Sequence, residues 1–159
     1  MEGKMTSQQE KTLTTEDWVL ALLSAVDRPI YGRLMLVKEM FLIAKEMDPR
    51  LDKELDFFPY DLGPYSKVLA QKLNDMVARG LIEVSSREGE EGEYQFSLTG
   101  KGREEAQKVL SALPDNVREL LRKKRRGWDQ LGYRGIVRLV YSKYPEYAGR
   151  SKIREVAES

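Results

Sequence analysis

The chain contains no cysteine and no histidine among its 159 residues. Without thiols there is no disulfide, no thiolate nucleophile and no cysteine-ligated metal. Without imidazole the usual proton shuttle near neutral pH is missing, and Ser-His-Asp chemistry is excluded. A catalyst built from this chain would have to use carboxylates, lysines, tyrosines or backbone dipoles. Long apolar runs are missing as well: the longest, Trp18 to Leu23, has six residues, and Met40 to Ala44 has five, against the roughly 20 that a membrane-spanning helix needs. The polar opening MEGKMTSQQEKT lacks the hydrophobic stretch of a secretory signal. The expectation is a cytoplasmic, non-enzymatic chain without cofactor or membrane contact, with a disordered tail over residues 1–12.

What is present is enough for one core. Hydrophobic residues make up 41% of the chain, and a chain of this length hides about 70% of its surface on folding. Thr14 and Thr15 can cap a first helix, in which Val19, Leu22, Leu23 and Val26 recur at helical spacing before Pro29. Gly32 precedes a second helix, Arg33 to Met47, apolar on nearly every face and therefore central. Residues 48–61 read as an acidic loop with a short extended piece around Phe57, Phe58 and Tyr60. Its Asp48, Asp52 and Asp56 have helical spacing that could hold Mg²⁺, but Pro49 spoils the face and solvated charge is the simpler account.

Gly63 and Pro64 are read as opening a third helix, because proline fits a first turn. Tyr65, Val68, Leu69, Leu73, Met76 and Val77 keep its stripe, and Gly80 fits its C-terminal cap. The period then changes from 3.6 to 2. Leu81, Ile82 and Val84, then Tyr94, Phe96 and Leu98, flank a polar tip and predict a β-hairpin. Thr99 can cap a further helix, buried through Ala106, Val109, Leu110 and Leu113 until Pro114. Two more helical pieces follow, one with Val117, Leu120 and Leu121 and one with Tyr133, Ile136, Val137, Val140 and Tyr144. The order predicts a mainly α chain with a β-hairpin: a winged helix-turn-helix domain over 13–113 and a helical extension over 114–159 packed on it.

Several local strings are familiar in combination. Phe58-Pro59-Tyr60-Asp61-Leu62-Gly63-Pro64-Tyr65-Ser66, a helix closing on Arg79-Gly80-Leu81-Ile82, and YQFSLTGKG from Tyr94 to Gly102 resemble the YwgA-like and SocA-like (Panacea) antitoxin group. Tyr144-Pro145-Glu146-Tyr147, with Ser151 after it, extends the resemblance over most of residues 13–155. The run after the hairpin recurs in many winged-helix regulators and speaks only to fold. The GPYS turn with its preceding aromatic-Pro-Tyr is narrower. The resemblance implies a winged-helix binding module without catalysis, working as antitoxin, proteolytic adaptor or regulator.

Charge points to two candidate surfaces. The formal net charge is +1, from 27 basic and 26 acidic residues, yet residues 118–154 hold twelve basic residues against three acidic ones, a net +9. Arg118, Arg122, Arg125 and Arg126, with Lys123 beside them, are expected to form a basic helical stripe opposite Val117, Leu120 and Leu121, suited to phosphates or an acidic partner. On the third helix Lys67, Gln71 and Asn74 lie at i, i+4 and i+7, away from the apolar stripe. Gln and Asn there suit adenine, and Lys suits guanine or phosphate. The wing argues otherwise, since Glu83 to Glu93 contains five Glu and only Arg87, and such a wing is repelled by phosphates. DNA binding is therefore the first expectation, with a protein partner such as a toxin as the alternative. Tyr133, Tyr141, Tyr144 and Tyr147 interleave with basic residues. Tyr133 and Tyr144 fall on the apolar stripe, so packing onto the winged helix, or onto a second copy in a homodimer, is a simpler account than base stacking. Trp128 is expected in the core.

Overall fold

The computed structural model describes residues 12–60, 63–86 and 94–148. The expectations for the tail before Thr12, for the tip of the hairpin and for Arg150, Lys152 and Arg154 lie outside those residues.

Thr14 caps the first helix, α1 (Thr15–Ser24), in a capping box: its hydroxyl accepts from the Asp17 N–H and the Asp17 carboxylate accepts from the Thr14 N–H. The helix ends at Ser24, short of Pro29. A two-residue strand, β1 (Ile30–Tyr31), leads through Gly32, at φ 100°, into α2 (Arg33–Glu46). As its composition requires, α2 lies at the centre, buried continuously from Met35 to Ala44. That buried run includes Lys38 and Glu39.

The segment expected as a loop contains a helix, α3 (Arg50–Leu55), which buries Leu51 and Leu55 and stops at Asp56 in the left-handed region. Asp48 is buried rather than solvated, accepting from the Trp18 indole at 2.8 Å and from Arg50. Gly63 and Pro64 do not begin a helix. They belong to β3 (Gly63–Tyr65), which pairs antiparallel with β2 (Phe58–Tyr60). The next helix, α4 (Lys67–Ala78), starts where Ser66 takes its Leu69 N–H at 2.9 Å and donates to the Leu55 carbonyl. Ser66 therefore caps α4 and ties it to the end of α3.

Gly80, at φ 77°, lets the chain leave α4. The hairpin β4 (Ile82–Ser86) and β5 (Tyr94–Leu98) follows, and β1 adds to β5, giving the strand order β1-β5-β4, all antiparallel. Thr99 caps α5 (Gly100–Ala112). The C-terminal pieces form one long element, α6 (Asp115–Lys143), broken at Gly132, where φ is 72°. A short 3-10 turn, Pro145–Tyr147, closes the described chain. Ile136, Val137, Val140, Tyr141, Leu121 and Trp128 of α6 share one apolar core with α1, α2, α4 and the sheet. The fold is mainly helical with a small antiparallel sheet, an α+β arrangement. No helix among the described residues is long and apolar enough to cross a membrane.

Candidate functional site

α4 displays Lys67, Gln71 and Asn74 on one exposed face because Leu69, Leu73 and Met76 bury the opposite one. The three residues are thus together, as their spacing predicts, but their electrostatics are not those of a bare basic face. Asn74 accepts from Arg33 at 3.5 Å. Lys72 lies between Glu16 and Glu54 at 3.6 and 3.7 Å, and Arg79 pairs with Asp75. Lys67 alone among the three projects a cation, while the exposed Glu83 stands at the start of the hairpin.

Arg33 is a residue that sequence reasoning missed. Its guanidinium reaches Asn74 of α4 while lying 5.8 Å over the Phe96 ring of β5, so it fills the junction between helix and hairpin. Around that junction apolar groups are open to solvent: Val77 at 39%, Val84 at 38% and Tyr94 at 47% exposure. Val84 is the register partner of Phe96, and Tyr94 lies two residues before it on the same side of the strand. The α4 and hairpin face is therefore a mixed patch of valine, tyrosine and amide around one arginine.

The basic stripe on α6 is not the one the spacing suggested. Arg125 is 0% exposed, so it cannot serve as the phosphate contact expected of it. Its guanidinium donates to the carbonyls of Leu22 at 2.7 Å, Arg28 at 2.8 Å and Pro29 at 3.2 Å, and to Asp129 at 2.8 Å. Leu120, expected in the core, is exposed, while Leu121 is buried, so the helix is rotated from the expected packing. Arg118 is turned back onto Asp115 and the Leu110 carbonyl, and Arg122 is held by both oxygens of Glu119. Lys124 and Lys143 converge on Glu46 at 2.7 and 2.8 Å. Burial works against the Glu46 charge, but the two lysines outweigh it and hold its carboxyl below the ordinary value. Lys123 and Arg126 are exposed, as expected.

The two candidate groups do not form one patch. Lys72 of α4 reaches Glu16 in the first turn of α1, whereas Arg125 of α6 reaches Leu22 near its last turn. They hang from opposite ends of a ten-residue helix, about 15 Å long.

Beneath Arg125 sits Glu39, 0% exposed and 3.8 Å from the Arg125 Nε. Burial, reinforced by Asp129, pushes its pKa up to about 10, with Arg125 opposing. Glu39 is therefore protonated at neutral pH, and Arg125 with Asp129 makes a balanced pair beside it. The clue in the sequence was Lys38-Glu39 standing inside an otherwise apolar run.

Aromatic packing accounts for the Tyr-Pro-Glu-Tyr string. Tyr144 and Tyr147 meet Phe41 edge-on at 5.3 and 4.9 Å, and Lys45 lies 5.5 to 5.7 Å from all three rings while pairing with Asp52 at 2.7 Å. Trp128 is buried, as expected. Among the described residues no group of three carboxylates is placed to hold a metal ion. Compared as a whole, the sequence matches no protein-family model and no curated protein.

Proposed function

We propose that this chain is a non-catalytic binding module of winged helix-turn-helix form that takes a protein partner on the face shared by α4 and the β4–β5 hairpin. The order helix, strand, helix, helix, hairpin, with β1 pairing on β5, supports the winged-helix reading. α4 then holds the position of the recognition helix, and α3 with β2–β3 forms an insert before it. The local likeness to the antitoxin group supports the same reading.

The observation that carries the choice of partner is the patch around Arg33. Val77, Val84 and Tyr94 are open apolar groups beside an arginine and an asparagine, the mixture typical of protein interfaces. A duplex would meet one free lysine on α4 and the Glu-rich hairpin, which phosphates repel. DNA binding remains the second reading, favoured by Lys123 and Arg126 on the open face of α6.

The test compares three forms of the chain, wild type, Val84→Arg with Tyr94→Ala, and Lys123→Glu with Arg126→Glu. A protein captured in equal proportion from native extract by the first and third, and lost by the second, supports the proposal. Salt-sensitive binding to duplex DNA, lost only in the third, replaces it with the DNA reading.

A further inference from the structure

Lys38 lies on α2 and is 1% exposed, and no hydrogen bond or ion pair joins it to any described residue. Tyr141 and Tyr133, on one side of α6, are likewise buried at their hydroxyls without a hydrogen-bond partner. Gly63 of β3 brings the first two together. A side-chain carbon at that position would stand 3.1 Å from Lys38 Cε and 3.5 Å from the Tyr141 hydroxyl. The Lys38 Cε, one bond from the ammonium, and the Tyr141 hydroxyl therefore flank one point in the interior, where three elements meet.

Leaving these groups bare is costly. An ammonium taken out of water without a counter-charge destabilises the fold, and each unpaired hydroxyl adds to that cost. Burial alone draws the Lys38 pKa down, to about 8, so it remains mostly charged at neutral pH. The neighbouring Glu39 is no counter-ion: one residue along a helix is about 100° of rotation, and its carboxyl is turned to Arg125 and Asp129. Among the described residues these donors meet no anionic acceptor.

We infer that Lys38 and Tyr141, with Tyr133 beside them, form a binding site for a small oxyanion, the carboxylate or phosphate group of a metabolite. Two or more oxygens on one anion accept from the ammonium and from the phenols together, which a monatomic halide cannot match in direction. Such a ligand joins α2 and α6 to β3, and β3 runs through Ser66 directly into α4. Occupancy is thereby linked to the seating of the helix proposed for partner binding. The inference does not depend on that proposal.

The experiment is thermal unfolding of the full chain in sodium chloride, sodium phosphate or sodium acetate at matched ionic strength and pH 7. Phosphate or acetate is expected to raise the midpoint by several degrees in a saturable way relative to chloride, since binding to the folded state alone stabilises it. Lys38→Met should abolish that response and Tyr141→Phe should weaken it. Should Lys38→Met fail to fold, the tyrosine ultraviolet difference spectrum on phosphate or acetate addition decides: a saturable change in wild type, reduced in Tyr141→Phe, upholds the site. Equal midpoints in all three salts, or an undiminished response in Lys38→Met, overturn it. A flat difference spectrum in wild type also overturns it.

Discussion

Arg125 donates a hydrogen bond of 2.7 Å to the Leu22 carbonyl, across 103 positions of sequence. A guanidinium is thus bound to the carbonyl end of α1, where a cation is favoured by the helix dipole as well as by the bond itself. The two further carbonyls and Asp129 complete its donors. The same side chain fastens α6 to α1 and to the turn leading into β1.

Truncating a buried, fully bonded cation leaves Asp129 and the carbonyls without a partner. Arg125→Ala should cost about 3–5 kcal/mol, whereas Arg126→Ala, one residue on and exposed, should stay within about 0.5 kcal/mol. Urea denaturation of both variants measures the contrast. Equal midpoints would show that Arg125 is not the fastening it is described as.

Glu39 makes stability depend on pH in a definite direction. Its carboxyl is protonated in the folded chain up to about pH 10, while the unfolded chain ionises it near pH 4.3. Between those values the folded state binds more protons, so this group lowers stability as pH rises, by at most about 1.4 kcal/mol per pH unit. Glu39→Gln, with Arg125 and Asp129 unchanged, should match wild type near pH 4.5 and become progressively more stable between pH 5 and 8. Thermal midpoints across that range are the measurement, and a constant difference would count against a protonated Glu39.

Two helical glycines should respond oppositely to alanine. A Cβ on Gly102 would lie 2.1 Å from the Leu81 carbonyl oxygen, a backbone atom that cannot yield cheaply. Gly102→Ala should therefore lose about 2 kcal/mol or more, outweighing alanine's better helix propensity. Gly127 faces open space, and Gly127→Ala should gain about 0.5–1 kcal/mol. Chemical denaturation of the pair decides.

Ser66 closes a link between α3 and α4. Its hydroxyl donates to Leu55 and accepts from Leu69 while fully buried. Ser66→Ala should cost about 1–3 kcal/mol, since both a cap and a buried carbonyl lose their partner. Faster amide exchange at the first turn of α4 is the local signature to look for.

Much of this architecture could be read before any coordinates. Thr14, Gly80 and Thr99 do what short-range geometry asks of them, and the change of period after Gly80 marks the hairpin. β2 was readable only as a short extended piece, and β3 was misread as the start of a helix. Each carries a proline at its centre, and Pro59 lies opposite Pro64. Proline cannot donate to a ladder, so propensity argues against a strand. The pair survives because two prolines facing each other occupy a position that needs no donor. α3 was hidden by its brevity, six residues with four of them charged, too few for a period to show.

The candidate site divides along the same line. Which residues of α4 share a face follows from 3.6 residues per turn, and Lys67, Gln71 and Asn74 obey it. The partners those residues meet depend on chain segments far away in sequence, and Arg33 reaches Asn74 across 41 positions. Local sequence determined the elements, their caps and the uneven spread of charge, because those depend on neighbours a few residues apart. Only tertiary packing decided which charges face water. It turned Arg125 inward, neutralised Glu39 and left Lys38 beside Gly63, because the worth of a charge is set by what lies within a few ångströms in space.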